Sequence, residues 1–499
     1  MATAVADSYS AASGVPVGGG RWAGGLFGGS ITLDGVVAGG SMVTFNPLND
    51  VLNLIAATPV EGWVQLNTNT FQSAFPPDDL RALYGGNPAP PERIQGAWPS
   101  MGWDSVDHQL VLWGGGHANT SANEPYVWRC DTRQWHLAYH ASEMVQVDAY
   151  PIFRSAGFND APISSHTYGN NEFLTVQNRF WTFGGSAHGH GGKLIVFDPN
   201  IPGDQPGLRN AGGFSLSLAQ ARQGKVAGAT GTNNKRGAYV GVNLDGANAW
   251  RLHDWWSKSD AENKPRFGGA NYSGHTECGS AATVESARDV LYYTAAAGTD
   301  RALLRVEFVD SNPLNDIHTQ VSSTAGDGTG SEGARGNGAL AMCQEMRLAV
   351  MVMGGNNNGQ TLRFVDLKRT WGSTNTWRTP GLTGADVAEF AALTLHRAGI
   401  VWNPIKACFT VWHMGAQVWE VYPPAGNPTP DAGWTLVKVT MAGGAAPRSN
   451  FITSGLLQEY GIIGKWKWAS DLRCAITTFG SQAGEVWAYK PTGWTDPRA

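Results

Sequence analysis

The strongest constraint on the fold is a repeated pair of short apolar segments with a glycine-containing turn between them. Val, Trp, Tyr and Phe favour strands, and a glycine between two such segments is typical of a hairpin. The copies read "LVLWGGGHANTSANEPYVW", "FWTFGGSAHGHGGKLIVFD", "AYVGVNLDGANAWRL", "LYYTAAAGTDRALLRVEF", "AVMVMGGNNNGQTLRFVDL", "CFTVWHMGAQVWEVY" and "CAITTFGSQAGEVWAYK". The sequence therefore predicts seven β-hairpins.

Two further kinds of segment accompany most of the hairpins. Runs of small residues precede them, as in "ECGSAATVES", "GNGALAMCQE" and "FAALTLHRAG", and suit strands that crowd together at a centre. Runs anchored by tryptophan, such as "QWHLAY" and "GWTLVKV", follow several hairpins and suit outer strands. Four antiparallel strands per unit, at a spacing of about 50 residues, are typical of β-propeller blades.

Composition supports an all-β class and excludes several partners. The chain has 65 Gly, 26 Pro and 21 Trp but only 15% charged residues, which favours strands and tight turns over helices. A net charge of -5 with scattered Lys and Arg argues against nucleic acid. The absence of a run of about 18 apolar residues argues against membrane insertion. Without a basic and apolar leader, we expect synthesis in the cytoplasm, and the five separated cysteines indicate buried thiols.

The double glycine after the second strand, the aromatic third strand and the outer tryptophan resemble kelch repeats in galactose-oxidase-like propellers. The resemblance covers about residues 60 to 494 and implies one seven-bladed, kelch-like β-propeller. That family's copper-radical site uses two histidines and two tyrosines, one of them crosslinked to a cysteine. Here the adjacent pair Tyr139 and His140 follows an outer strand, and Cys278 has no evident tyrosine partner. The resemblance therefore does not extend to oxidase chemistry.

The two ends of the chain predict how the ring closes. The last unit has no outer strand of its own before the end at "PTGWTDPRA". The segment "EGWVQLNTN" at 61–69 has the features of an outer strand, so we predict that it pairs with the last blade and removes an exposed edge. Residues 60–499 then form the propeller. Residues 1–59, rich in Gly, Ala and Ser, are predicted to be a flexible N-terminal arm, either a docking segment or a tail without a task.

Candidate binding residues gather on one face of the predicted ring. The loops between second and third strands emerge there, together with the segments that lead into the next inner strand. The candidates are Trp98, His117, Asn119, His166, His188, His190, His275, Glu277, Arg335 and Arg448.

Four of these histidines are candidate ligands of a divalent metal ion, because imidazole binds zinc, copper and manganese. They are His117, His166, His188 and His275. The alternative is that glycine-rich turns favour His and Asn for their backbone geometry and hydrogen bonds.

Binding without catalysis makes the fewest demands on these residues. Aromatic faces can stack on sugar rings while Asn, His and Arg bind hydroxyl groups. We therefore predict recognition of a surface carbohydrate or a protein partner such as a cell-surface receptor, with the arm fixing the propeller to a larger assembly. The arm's composition and the acidic, disulfide-free propeller resemble a bacteriophage tail-associated receptor-binding protein, which implies a place in the virion tail and a role in host attachment.

Other function classes remain open. A polysaccharide lyase would use Arg335 or Arg448 to neutralise a uronate carboxylate, and His166 or His275 to move a proton. Hydrolysis needs two carboxylates, for which only Glu277 and Glu124 are candidates. Intracellular scaffolding, a common role of kelch propellers, is a further alternative.

Overall fold

The computed structural model describes residues 21–23, 30–32, 46–76, 91–96, 98–115, 122–139, 141, 144–146, 153–155, 162, 164–183, 186–187, 213–218, 250–253, 279–297, 300–312, 315–322, 337–354, 361–369, 376–393, 395–453 and 458–499. These residues form an all-β propeller. Its described sheets comprise five complete blades of four or five strands and one sheet of three strands. The inner strands contact one another in a closed ring that follows chain order.

The sheets are numbered here in chain order, and their strands run from the axis outwards. Sheet 1 contains Ser100–Asp104, Gln109–Trp113, Tyr126–Arg129 and Gln134–Leu137. Sheet 2 contains Glu172–Leu174, Arg179–Phe183, Gly213–Leu216 and Trp250–His253. Sheet 3 contains Ser280–Glu285, Arg288–Ala297, Asp300–Glu307 and Ile317–Gln320.

The second half of the ring follows the same order. Sheet 4 contains Asn337–Cys343, Leu348–Gly354 and Thr361–Asp366. Sheet 5 contains Gly399–Asn403, Cys408–Trp412, Val418–Tyr422 and Ala432–Lys438, with Gly381–Thr383 added in parallel at its edge. Sheet 6 contains Trp466–Ala469, Cys474–Phe479, Glu485–Lys490 and Gly62–Gln65.

Short elements connect or flank these sheets. The described α-helices are Asn49–Ala57, Glu92–Gly96 and Val387–Ala391, and the 3₁₀ turns are Phe71–Ala74 and Leu395–Arg397. Two-stranded pairs join Arg21–Ala23 to Ser30–Thr32, Met144–Gln146 to Phe153–Ser155 and Ser165–His166 to Ser186–Ala187. No helix among the described residues combines the length and apolar character needed to span a bilayer.

The prediction of seven blades is wrong, because the first strand of the second predicted hairpin and the last strand of the third lie in a single sheet. Arg179–Phe183 is the second strand of sheet 2, and Trp250–His253 is its outer strand. Gly213–Leu216 pairs between them and comes after the long segment 184–212. Even spacing of strands along the chain therefore does not hold in this sheet, and two expected blades become one.

Inner strands lie where two of the quoted runs of small residues predicted them. Ser280–Glu285 falls within "ECGSAATVES", and Asn337–Cys343 within "GNGALAMCQE". The run 390–399 differs, because it contains the end of the helix Val387–Ala391 and the whole 3₁₀ turn Leu395–Arg397. The inner strand of sheet 5 begins only at Gly399. Small, apolar residues there are compatible with either structure.

One backbone feature recurs in all six sheets. The residue immediately before each second strand has a positive φ, between 50° and 63°, although none of these residues is glycine. They are His108, Asn178, Ala287, Arg347, Ala407 and Arg473. A left-handed residue at this place reverses the chain tightly between the inner and second strands. The units therefore share this turn in addition to the glycines between the second and third strands.

The double glycine of the first hairpin has a local structural reason. Gly114 and Gly115 adopt φ values of 124° and 90°, which side chains rarely tolerate. A Cβ atom added to Gly115 would lie 2.8 Å from the Cα atom of Ile94. The second strand of sheet 1 therefore ends against the helix Glu92–Gly96 only because these positions are glycine.

The strand Gly62–Gln65 completes sheet 6 by pairing antiparallel with Glu485–Lys490. It lies within the segment 61–69 in which the sequence predicts an outer strand. Its Trp63 ring has its centroid 5.1 Å from that of Trp412 and 5.5 Å from that of Trp466. The strand is thus bound both by backbone hydrogen bonds and by buried aromatic packing between sheets 5 and 6.

A charged cluster anchors the start of this closing strand. The Glu61 carboxylate accepts hydrogen bonds from the Tyr489 hydroxyl and from Lys406 Nζ, the latter at 3.0 Å. Lys406 Nζ also lies 2.6 Å from Glu420 Oε1 in sheet 5. Burial by itself would raise the pKa of Glu61, but hydrogen bonds from Thr492, Tyr489 and Lys406 outweigh it and lower that pKa. The cluster therefore favours an ionised Glu61 and ties sheet 6 to sheet 5.

We expect Glu61→Gln to lower the free energy of unfolding by roughly 1.5–3 kcal/mol, because charge-assisted hydrogen bonds are lost. Since folding lowers the pKa of Glu61, its contribution is present above the pKa of the unfolded chain. It disappears as the pH falls through the folded-state value. Urea unfolding followed by tryptophan fluorescence should give a higher free energy of unfolding for the wild type than for Glu61→Gln at about pH 7. The difference should be smaller at about pH 3.5.

The matched control is Glu389→Gln, which removes an exposed ion pair with Lys438, the last residue of sheet 5's outer strand. That change should cost at most about 1 kcal/mol. Equal losses in the two variants would contradict a special role for the Glu61 cluster in closing the ring.

Candidate functional site

The inner strands carry large apolar residues next to their last positions. These penultimate residues are Trp103, Phe173, Val284, Met342, Trp402 and Trp468. Because they share one register position in neighbouring strands around the axis, they form a ring at the face on which the inner strands end, here called the turn face. Val106 and Val176, in the adjoining turns of sheets 1 and 2, are 44% and 52% exposed. The turn face therefore carries apolar side chains around its centre.

A cavity of about 370 Å³ lies inside this ring along the propeller axis. All six inner strands contribute to its lining, and five of the six penultimate residues do so. Gln344 and Glu345, both exposed, add polar groups at the mouth. The volume lies near the lower end of the roughly 300–1,000 Å³ that is common for small-molecule pockets.

The opposite end of the cavity is closed by backbone contacts where the inner strands begin, here called the start face. Met101 N donates to Gly464 O at 3.0 Å, and Ser280 N donates to Gly169 O at 2.9 Å. A Cβ atom on Gly464 would lie 2.5 Å from Ser100 Cβ and 2.8 Å from Gly169 Cα. These contacts link sheets 6, 1, 2 and 3 and form a floor beneath the cavity.

An ion pair joins sheets 2 and 6, on either side of sheet 1, just above this floor. Lys467 Nζ lies 2.5 Å from Glu172 Oε1 and donates a hydrogen bond to Asn171 O at 3.0 Å. Ser280 Oγ donates to the same Glu172 oxygen at 3.2 Å. Burial raises the pKa of Glu172, while the charge and hydrogen bond of Lys467 oppose that shift. The pair thus joins sheets 2 and 6 and places polar groups at the base of an otherwise apolar cavity.

Two tryptophans of the lining strands carry buried indole donors. Among the described residues, the Nε1 atoms of Trp402 and Trp466 are buried and have no hydrogen-bond partner, and the Trp466 ring packs outwards against Trp63 and Trp412. Buried donors without partners are uncommon in folded proteins. Trp103 differs, because its Nε1 donates to Asp471 Oδ1 at 2.7 Å, which holds its ring at the mouth.

Aromatic side chains cover the floor on the start face. The Trp98 ring stacks on Tyr460 with centroids 4.9 Å apart and lies 5.4 Å from the ring of Tyr168. Tyr168 packs in the same apolar cluster as Ile400 and Ile463, which come from other sheets. The His166 ring meets Tyr168 edge-on at 5.9 Å and is 5% exposed. These aromatic residues form a plug over the start-face end of the axis.

A polar cluster adjoins this plug. Arg448 forms an ion pair with the buried carboxylate of Glu459, whose Oε1 also accepts a hydrogen bond from Gly480 N at 2.8 Å. Next to it, Lys465 is buried and donates to Gln95 O at 3.1 Å. Burial lowers the pKa of Lys465 to about 8, with Arg448 acting in the same direction and Glu459 opposing it. This cluster fits a role in packing the start of sheet 6 against sheet 1.

The structure places three of the predicted site residues and brings them into one connected region. Trp98 and His166 both contact Tyr168, and Arg448 binds Glu459, the neighbour of Tyr460 that stacks on Trp98. The remaining candidates lie outside the described residues: His117, Asn119, His188, His190, His275, Glu277 and Arg335.

The metal site stays a prediction. Of its four proposed ligands only His166 is described. Within the described ranges no group of three or more His, Cys, Asp or Glu side chains is arranged to hold a metal ion.

Sequence reasoning missed the cavity residues. Trp402 and Trp468 stand inside strands, where tryptophan usually serves packing, so loop tryptophans attracted more attention. A usable signal exists in "GWDS", "VWNP" and "KWAS", where a tryptophan stands two residues before the turn that reverses the inner strand. Alignment of the units on that turn would have grouped these residues.

No protein-family model matches the chain, and no curated protein sequence matches it. Among solved structures it is similar to a xylan beta-1,4-xylosidase from Bacillus halodurans C-125, at 12% identity and a TM-score of 0.26, over 60% of this chain and 46% of that one. It is also similar to an endo-arabinase from Bacteroides thetaiotaomicron VPI-5482, at 8% identity and a TM-score of 0.27, over 72% and 99% of the two chains. A third similar structure is the xyloglucan PUL GH43B protein of Bacteroides ovatus, at 9% identity and a TM-score of 0.31, over 80% and 71%.

This chain thus spans about half the length of the xylosidase. Similarity at these TM-scores and identities carries no inference about activity.

The buried Lys465 predicts a distinctive pH dependence of stability. Its pKa falls from 10.5 to about 8 on folding, so the unfolded chain binds more protons between those values and stability rises with pH across them. Relative to Lys465→Met, the free energy of unfolding of the wild type should rise by roughly 2–3 kcal/mol between about pH 7 and pH 10. Urea unfolding of both proteins at the two pH values measures this gain, and a difference that stays constant would contradict it.

Proposed function

We propose that this propeller binds a carbohydrate in its central cavity. The proposal rests on one observation: several aromatic side chains surround the mouth of the cavity, and polar groups lie at its floor. Trp402 and Trp468 are half-buried at the mouth, and the Glu172–Lys467 pair lies at the base. Aromatic faces pack on the apolar faces of sugar rings, while a few fixed polar groups bind hydroxyls and set orientation.

Recognition without catalysis fits the described cavity better than bond cleavage. Hydrolysis of a glycosidic bond uses two carboxyl groups that flank it. The two carboxylates in the described lining stand at opposite ends: Glu172 at the floor, bound to Lys467, and Glu345 in the turn after its inner strand. For a lyase, His166 and Arg448 lie on the start face, within or beside the aromatic plug.

The wider setting of this binding remains a proposal from sequence. A carbohydrate-binding propeller held by residues 1–59 in a virion tail, binding a host cell-surface receptor, is consistent with a kelch-like ring and a Gly/Ala/Ser-rich arm. Intracellular scaffolding would instead require a protein partner. Binding of a purified glycan by the full chain, without a second protein, distinguishes the two.

We expect Trp468→Ala and Trp402→Ala each to weaken glycan binding about tenfold or more, equivalent to about 1.4 kcal/mol, because each removes an aromatic face from the mouth. A glycan array identifies a ligand for the full-length protein, and isothermal titration of that ligand measures both variants. Trp402→Phe should have a smaller effect, since it keeps an aromatic face at the mouth, although a smaller one without the indole N–H.

The control variant is Trp494→Ala, which removes a half-buried tryptophan near the C-terminus that donates to Leu472 O and does not line the cavity. Its affinity should equal that of the wild type. Absence of binding across neutral and acidic glycans would overturn the proposed function. A new ultraviolet absorbance with uronic-acid polymers would instead support the lyase alternative.

A further inference from the structure

We infer that the cavity receives the terminal, uncharged sugar of a glycan chain, inserted end-on from the turn face. This inference rests on the proposed function and names the ligand class of that same site. Two independent observations carry it, namely the closed floor of the cavity and the charge of its lining.

The closed floor excludes a chain that passes through the propeller. Gly464 O and Gly169 O accept hydrogen bonds from the neighbouring inner strands at 3.0 and 2.9 Å, which leaves no gap between sheets 6, 1, 2 and 3 at that level. Beyond them, the Trp98 ring stacks on Tyr460 and meets the tilted ring of Tyr168, which packs in one cluster with Ile400 and Ile463 from other sheets. Among the described residues, the turn face is therefore the open end of the axis, and a polymer that enters there reaches the Glu172–Lys467 pair with its end.

The depth of the cavity also favours a chain end over an internal segment. A glycan that lay across the mouth would contact the ring of penultimate residues but not the floor. The polar groups that can bind hydroxyls, including Ser280, Glu172 and Lys467, lie at the base of the cavity. Directional hydrogen bonds from these groups would therefore form with a terminal sugar.

The charge of the lining disfavours an acidic sugar. Lys467 is the one cation among the described residues that line the cavity, and Glu172 already neutralises it. Glu345 at the mouth adds a further negative charge. A uronate carboxylate would need an unpaired cation, since a buried charge without a partner is costly. Neutral sugars avoid that cost.

The test compares chain length and charge in the full-length wild-type protein. The probes are methyl glycosides of neutral hexoses and pentoses, linear oligosaccharides of one to six units built from the sugar that binds best, and methyl glucuronide and galacturonide. One neutral methyl glycoside should bind within about tenfold of its six-unit chain, equivalent to about 1.4 kcal/mol. The uronides should bind at least about tenfold more weakly than that glycoside.

The possible outcomes separate this inference from the proposed function. Affinity that rises more than about a hundredfold from one to six units would overturn end-on binding. Tighter binding of a uronide than of every neutral glycoside would overturn the charge argument. Either result leaves carbohydrate binding intact. No binding to any carbohydrate overturns the proposed function, and this inference with it.

A pair of variants tests the charge argument directly. Glu172→Gln leaves the Lys467 ammonium without its carboxylate partner, so methyl glucuronide should bind about tenfold more tightly than to the wild type. Glu389→Gln changes the net charge by the same amount at a position outside the cavity and keeps Lys467 paired, so it should alter that affinity less than about threefold. Circular dichroism confirms that each variant is folded. The double variant Glu172→Gln, Lys467→Gln should lose the gain, and no gain in a folded Glu172→Gln protein would contradict the inference.

Discussion

Close approach of the inner strands at the axis is the constraint on which the rest of the structure depends. An added Cβ atom would lie 2.3 Å from Trp466 at Gly399, 2.6 Å from Leu340 N at Gly279 and 2.9 Å from the Glu172 backbone at Gly102. Such distances are possible only because these positions are glycine, so the sheets meet backbone to backbone at Gly279 and Gly102, and the Trp466 side chain packs on the backbone of Gly399. Larger residues are consequently displaced outwards, where they pack between neighbouring sheets as the propeller core.

The same geometry produces the cavity. Neighbouring inner strands are in backbone contact where they begin, and at their penultimate positions they carry residues as large as Trp402 and Trp468. The axis is therefore closed at one face and lined by aromatic side chains at the other. The Glu172–Lys467 pair lies between these two regions and joins sheets 2 and 6, which flank sheet 1. Backbone contact between the inner strands at the floor therefore leaves a cavity that opens at the opposite face.

Closure of the ring depends on residues from opposite ends of the chain. Gly62–Gln65 fills the outer position of sheet 6, and Trp63 packs among aromatic rings of sheets 5 and 6. The ion pairs of Lys406 with Glu61 and Glu420 add a second connection at the same place. Hydrogen bonding, aromatic packing and charge therefore act together where the ring would otherwise open.

The sequence by itself determined the class of fold, because hairpin periodicity and turn residues are local properties. It predicted a propeller, inner strands in the runs "ECGSAATVES" and "GNGALAMCQE", and an outer strand near 61–69. It did not determine how many sheets share the ring, since the partners Arg179–Phe183 and Gly213–Leu216 are separated by a long segment that interrupts the periodicity. Nor did it reveal the cavity, although Trp103, Trp402 and Trp468 are visible in the sequence. Only the tertiary structure decided that these residues line one cavity. Their strands are far apart in the sequence and come together only when the ring closes.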